Sequence, residues 1–393
     1  MDVDRIERRE NISIDEFVEC FLEPNRPVIL GATFTQHWPA RRDWVTAEGT
    51  PNFERLSTLY PTDLVEVADC DTTYFSDHER TTMPLTEFIA KWQKGEQRLY
   101  CKDWHFTRSP SQYQAYWPLP HLSNDWLNTY YEEEKDDDYR FCYMGGQGTW
   151  TAFHEDVFRS YSWSSNICGQ KRWILVPPGQ NHLFTDDAGN WVHSLVDYDR
   201  ARFPRLHELK SLELVQGPGE TVFVPSGWWH QVQNIGDTIS INHNWTNEFN
   251  LQGMFDRLGH DLRCVRHALR DVTDMEGFED HAQMVLRVNS GMDFGGFFAF
   301  VKHMANVYLG HCNADSLPLP AADSEPRCYE RARNCVDRYF LLPDSVCRAL
   351  TRIDAVLEML EGDPTTALIS GDLKGQVASL RTTIAQWLEE YYS

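Results

Sequence analysis

Hydrophobic and polar positions change their rhythm twice along the chain. Near the start the pattern is mixed. "SIDEFVECFL" reads as a helix, with Ser13 and Glu16 at the spacing that lets each satisfy an orphan amide of the first turn. "NRPVILGAT" reads as a strand, "MPLTEFIAKWQKG" as a helix and "QRLYCKDWHF" as a further strand. From about residue 140 to 248 strand follows strand: "YRFCYMGG", "WTAFHEDVF", "SYSWSSNICGQKRWILVPPG", "GETVFVPSGWWHQVQN" and "DTISINHNW". All are rich in β-branched and aromatic residues and bounded by Gly, Pro or Asn. Strands without helices between them predict an antiparallel sandwich or barrel, not a doubly wound sheet. Beyond 248 the period becomes helical. Val346, Leu350, Ile353, Leu357 and Leu360 recur at three- and four-residue steps, as do Leu373, Val377, Leu380, Ile384 and Trp387. The expectation is a mainly β protein with added helices, in three parts: an N-terminal elaboration (1–139), a β core (140–248) and a C-terminal helical region (249–393). "NADSLPLPAADSEP", 313–326, reads as a linker, and the acidic run "YYEEEKDDDY", 130–139, as a solvated loop.

Composition narrows the class. The 393 residues, 41% hydrophobic with 14 Trp, 16 Tyr and 21 Phe, describe a folded, aromatic-rich protein. A formal charge of −23, from 36 basic and 59 acidic residues, argues against a nucleic-acid partner, whose phosphates require clustered Lys and Arg. It suits a basic protein or peptide partner. Ten cysteines are scattered with no C-x-x-C pair, which speaks for free thiols in a reducing compartment over a disulfide framework. The charged start, "MDVDRIERRENISIDEF", has no apolar core of a signal peptide, and no run of roughly 18 apolar residues predicts a membrane span. The expected address is the cytosol, or the nucleus.

The chemistry concentrates in "TWTAFHEDVFRSYSWSSNICGQKRW", Thr149 to Trp173. His154 and Asp156 are two apart, so on a strand both side chains leave one face. Such a pair supplies two ligands of a facial two-histidine, one-carboxylate site of the non-haem Fe(II) type, and His230 in "PSGWWHQV" is the candidate third. A buried His–Asp hydrogen bond would explain the pair equally well. Lys171 tilts the balance. Its neighbours Trp173, Ile174, Leu175 and Val176 predict burial, and a buried ammonium needs either a permanent acidic partner or a ligand that brings an anion. Trp228 and Trp229 read as core, and Asn181, His182, His193 and His207 as surface positions.

The segments "GTWTAFHED", "GQKRWILVPPG", "GETVFVPSGWWHQVQN" and "DTISINHNW", in that order, make the chain resemble the Jumonji-C, cupin-type 2-oxoglutarate oxygenases over roughly residues 10–250. Within them it is most similar to the Jumonji-C domain-containing protein 4 group, hydroxylases of a lysine in the eukaryotic translation release factor. The resemblance implies a double-stranded β-helix (jelly-roll) core and Fe(II), 2-oxoglutarate and O2 as cofactor and cosubstrates. It implies His154, Asp156 and His230 as metal ligands, and Lys171, helped by Thr151 and Tyr100, as the site for the far carboxylate of 2-oxoglutarate. Asn244 matches an asparagine that lines the cosubstrate pocket. For a further pocket asparagine the choice falls between Ser164 and Asn166. Both lie an odd number of residues from Lys171, so only a bulge near Gly169 would bring either to its face. The implied reaction is C4 hydroxylation of a lysine on release factor 1. An N-methyl-lysine demethylase and an inactive cupin scaffold are the alternatives, and the resemblance leaves open a homodimer through the C-terminal helices.

Overall fold

A computed structural model describes residues 5–74, 77–95, 98–312 and 342–392; the expected linker at 313–326 lies outside them. Every strand it contains belongs to one of two compact units. That unit comprises residues up to Leu122, with Asp138–Asp156 and Tyr161–Trp245. The strands are β1 (Glu7–Arg9), β2 (Val28–Leu30), β3 (Leu64–Tyr74), β4 (Asp77–Pro84), β5 (Leu99–Trp104), β6 (Arg140–Gly145), β7 (Trp150–His154), β8 (Tyr161–Cys168), β9 (Lys171–Val176), β10 (Leu212–Gln216), β11 (Thr221–Val224), β12 (Trp229–Asn234) and β13 (Thr238–Trp245).

They form a nine-stranded sheet, β1-β2-β11-β8-β13-β6-β5-β3-β4, and a four-stranded sheet, β10-β9-β12-β7. From β6 to β9, and again from β11 to β13, consecutive strands fall in opposite sheets, which is the winding of a double-stranded β-helix. The N-terminal segments extend the larger sheet on both sides: β1 and β2 beyond β11, and β5, β3 and β4 beyond β6. The reason the core strands read as nearly continuous apolar runs is that the sheets face each other. Ile29, Trp173, Leu175, Leu214, Val222, Val224, Trp228 and Val232 pack into one buried cluster. A second cluster gathers Phe153, Val176, Phe184, Val192, Phe203, Leu206 and Trp229, so Trp228 and Trp229 are both core, as expected. His193 departs from the expected surface position. It is half-buried, its ring 5.1 Å from that of Trp150, because its carbonyl accepts the amide of Phe153 and draws the loop onto β7.

The turn between β8 and β9 decides where Lys171 points. Here the chain leaves the large sheet for the small one, and Gly169 makes the corner with φ 75°. A methyl group at Gly169 would lie 2.1 Å from the carbonyl oxygen of Asp237 and 2.6 Å from Thr238 Oγ1. Only glycine tolerates both the dihedral and the approach.

The second unit comprises Ser123–Asp137, Val157–Ser160 and the chain from Thr246 onward. Its helices include Trp126–Glu134, Leu251–Ala268, Phe278–Ser290, Phe294–Cys312, Pro343–Gly362 and Leu373–Tyr392. The first corrects the reading of 130–139 as a loop. Asp125 caps it by accepting the amide of Asn128, and Trp126, Leu127 and Tyr130 give it an apolar face, so the acidic residues up to Glu134 occupy its outer face. The stripes expected near the C-terminus are helical. Val346, Leu350, Ile353, Leu357 and Leu360 are buried in one core with Leu373, Val377, Leu380 and Ile384, and Trp387 packs against it. Those side chains are spent within the unit, so a dimer through these helices would have to use their other faces. The seven cysteines whose side chains are described are free thiols, and no helix among the described residues is long and apolar enough to cross a membrane.

Gly169→Ala is expected to lower unfolding stability by at least about 2 kcal/mol, since the clash is with backbone and the dihedral is unfavourable as well. Urea denaturation of the purified chain measures it; a loss within experimental error would show that the corner can relax.

Candidate active site

The small sheet brings the ionisable residues together by register. β12 runs antiparallel to β7 with His230 directly opposite His154, and a bulge follows before Val232 pairs with Thr151. The two imidazole centroids are 4.2 Å apart. Just past the end of β7, Asp156 completes a group whose ligand atoms all lie within 4.8 Å of one another. Each histidine is oriented by the main chain. Nδ1 of His154 donates to the carbonyl of Ala152 at 2.7 Å, and Nδ1 of His230 to that of Trp228 at 3.2 Å. This fixes the tautomer and leaves Nε2 of each as a lone-pair donor. Asp156 is held by side chains instead: Ser162 Oγ donates to its Oδ2 at 2.7 Å and Asn244 Nδ2 to its Oδ1 at 2.9 Å. Burial and the neighbouring His230 lower the pKa of His154 to about 4, so it is neutral, the form that ligates. Two imidazoles and a carboxylate with an open face could hold a divalent transition metal.

The same pocket is lined by Tyr100, Tyr143, Thr151, Ser162, Ser164, Lys171, Trp173, Val232, Asn242 and Asn244. Lys171 is 2% exposed. Its ammonium donates to Ser240 Oγ at 2.7 Å and to Tyr100 Oη at 3.3 Å, and no carboxylate among the described residues pairs with it. Burial brings its pKa from 10.5 down to about 7, against an opposing effect of nearby Cys142. A buried cation surrounded by hydroxyls and lacking an anion is a site that an acidic ligand completes. Ser164 adds a buried hydroxyl without a partner, facing the same space.

Of the residues singled out from sequence, His154, Asp156, His230, Lys171, Thr151, Tyr100, Asn244 and Ser164 meet around this pocket. Asn166 does not. Its amide donates to the carbonyls of Gly169 at 2.7 Å and Gly217 at 3.4 Å, holding the corner rather than lining the cavity. Counting odd and even positions to Lys171 misled because the chain changes sheet at Gly169, and alternation does not carry across such a corner. The irregularity sits on β8 itself, where Ile239 pairs with Cys168 but Ser240 with Asn166, leaving Ile167 as the extra residue. Ser240 and Asn242 went unnoticed in the sequence. Their signal was the polar alternation Ser240, Asn242, Asn244 along β13, which puts all three on the inner face. Tyr143 and Ser162 carried no comparable mark.

A Cupin-like domain model matches residues 14–251. A zebrafish protein named 2-oxoglutarate and iron-dependent oxygenase JMJD4 is 39% identical, across 88% of this chain and 81% of its own. The human protein of that name is 40% identical, across 76% and 74%. The chain belongs to the cupin-like Jumonji-C oxygenase family. A further relative, from Arabidopsis thaliana and named arginine-specific demethylase JMJ20, is 42% identical across 82% of this chain and 76% of its own. The matched domain spans every strand from β2 to β13, and so every residue of this Jumonji-C pocket.

Lys171 sets a pH dependence. In the unfolded chain the amine keeps its proton up to about 10.5, in the folded unloaded protein only up to about 7. Between those values folding releases a proton, so stability rises with pH by up to about 1.4 kcal/mol per unit; below pH 7 the full cost of a buried charge remains. Thermal denaturation of the unloaded protein from pH 7 to 9 should show this rise relative to Lys171→Met, whose apolar side chain has nothing to titrate. Parallel curves for the two proteins would refute the assignment.

Proposed function

We propose that the chain is a 2-oxoglutarate- and Fe(II)-dependent protein hydroxylase that oxidises C4 of a lysine side chain in translation release factor 1, in the cytosol or nucleus. The observation that carries the reading is the pairing, in one pocket, of a facial His154–Asp156–His230 set with a buried ammonium that lacks an anion. The first would hold iron through Nε2 of both histidines and the Asp156 carboxylate. The second would take the far carboxylate of 2-oxoglutarate, with Tyr100 and Thr151 as neighbouring hydroxyls. Iron with 2-oxoglutarate and O2 supplies oxidation of an unactivated C–H bond coupled to decarboxylation of the cosubstrate. The chain's own work is placement. Ser162 and Asn244 fix the carboxylate ligand, Lys171 and Ser240 fix the cosubstrate end, and Trp173 and Val232 line the pocket beside them. The zebrafish and human relatives bear the oxygenase name, and the lysine of release factor 1 rests on the resemblance to their group.

N-demethylation is the second reading, and the Arabidopsis relative's name favours methylated arginine over methylated lysine as its target. The same metal ligands serve both reactions, because both begin at a C–H bond. Incubation of the Fe(II)-loaded protein with 2-oxoglutarate, ascorbate and release factor 1 should release succinate, and mass spectrometry should find one added oxygen on a lysine. Asp156→Ala should abolish both. Loss of a methylene from a methylated peptide instead would establish the second reading, and no turnover above the variant would mean a binding scaffold. Asn244→Ala should weaken binding of Mn(II), measured by titration, about tenfold to a hundredfold, the usual effect of removing a partner that orients a ligand.

A further inference from the structure

A cluster of charge in the β unit lies beside the candidate metal and anion sites. β5 loses register with β6 between Cys101 and Trp104, and inside that break Asp103 takes φ 54°. The left-handed region is open to few residues besides glycine, and Asp is one of them. Asp103 there accepts the hydroxyl of Tyr143 at 2.5 Å, and the Tyr143 ring lines the pocket. Its other oxygen accepts from Arg80 at 2.5 Å. Arg80 also donates to Asp77 at 2.8 Å, and the ammonium of Lys102 lies 3.3 Å from the second oxygen of Asp77. Two carboxylates and two cations thus balance beside the pocket. Burial by itself would push the Asp103 carboxyl up, but Lys102 and Arg80 more than reverse this and keep it ionised.

The two halves of this cluster are tethered differently. Asp103 has a short side chain on a main chain locked in the bulge, and Tyr143 holds one of its oxygens. Lys102 is buried, with its side chain 4% exposed, and stays beside Asp77. Arg80 is a long side chain, 33% exposed, on β4 at the edge of the sheet. Arg80 is therefore the member of the cluster that can swing out into solvent while the others stay in place. A rigid carboxylate with a mobile cation as a partner suits a site where cations are exchanged.

We infer that Asp103, backed by Tyr143, is the specificity-determining group that receives the cationic head of the substrate side chain, and that Arg80 holds this place until a substrate cation displaces it. The swap is one positive charge for another, so the balance beside the pocket is preserved, and Lys102 keeps Asp77 compensated when Arg80 swings out. This rests on the reading of the chain as an oxygenase of a protein side chain, and it extends to either an ammonium or a guanidinium.

The test is binding of two release factor 1 peptides to the full chain loaded with Mn(II) and 2-oxoglutarate. They are identical except that one carries the target lysine and the other norleucine, its uncharged analogue. The unaltered protein should prefer lysine by about tenfold or more, as a charge-assisted hydrogen bond provides. Asp103→Asn, which suits the same backbone conformation, should erase the preference while leaving 2-oxoglutarate affinity unchanged. Arg80→Ala should keep or enlarge it, because a competitor has been removed. Lysine preference that survives in Asp103→Asn, or that Arg80→Ala loses equally, overturns the inference and makes the cluster structural. Succinate release separates the two levels of failure. Lysine-dependent turnover with an undiminished preference in Asp103→Asn overturns only this assignment, whereas no turnover in the unaltered protein overturns the oxygenase reading as well.

Discussion

The antiparallel pairing of β12 with β7 places His230 across from His154, and the rest of the site follows from that register. A slip of one residue would turn His230 out of the barrel and Gln231 into it, because successive side chains leave opposite faces. The register is held on both sides of β12. On its other edge Trp229 pairs with Val176 and Asn234 with Lys171, so a shift would have to break the ladder to β9 as well. The aromatic bulk of Trp173, Trp228 and Trp229, buried in two clusters, opposes the same movement. Two imidazoles stay in contact because large apolar side chains around them have nowhere else to go.

On that frame the pocket carries an electrostatic deficit. Lys171 occupies an interior position with hydroxyls around it and no paired carboxylate among the described residues, and burial lowers its pKa. Natural cores normally pair such a group or leave it out. A pocket of this kind would favour a ligand that arrives negatively charged.

The parts of this arrangement legible in the sequence were those that rest on short-range rules. The His154–Asp156 spacing gives a common face on one strand, the apolar neighbours of Lys171 foretell its burial, and the three- and four-residue steps after 340 mark the helices. What escaped depends on tertiary events that leave no local trace. The corner at Gly169 resets the alternation, so neither Ser164 nor Asn166 could be assigned by counting, and Asn166 turned out to serve the corner. The acidic run after Tyr130 looked solvated, yet the face supplied by Trp126 and Leu127 makes its first half helical. Asp103 has an ordinary sequence context, and only the bulge gives it its direction.

The three residues at the candidate metal centre differ in what secures them. His154 and His230 lean on carbonyl oxygens two residues back, and every amino acid at those positions offers the same carbonyl. Sequence drift at Ala152 or Trp228 therefore leaves the hydrogen bond in place so long as the strand persists. Asp156 leans on the side chains of Ser162 and Asn244, and either can be lost in a single codon change. Among descendants of this fold the carboxylate has the narrower margin, and a lineage that lost its two supports would still keep the two imidazoles facing each other.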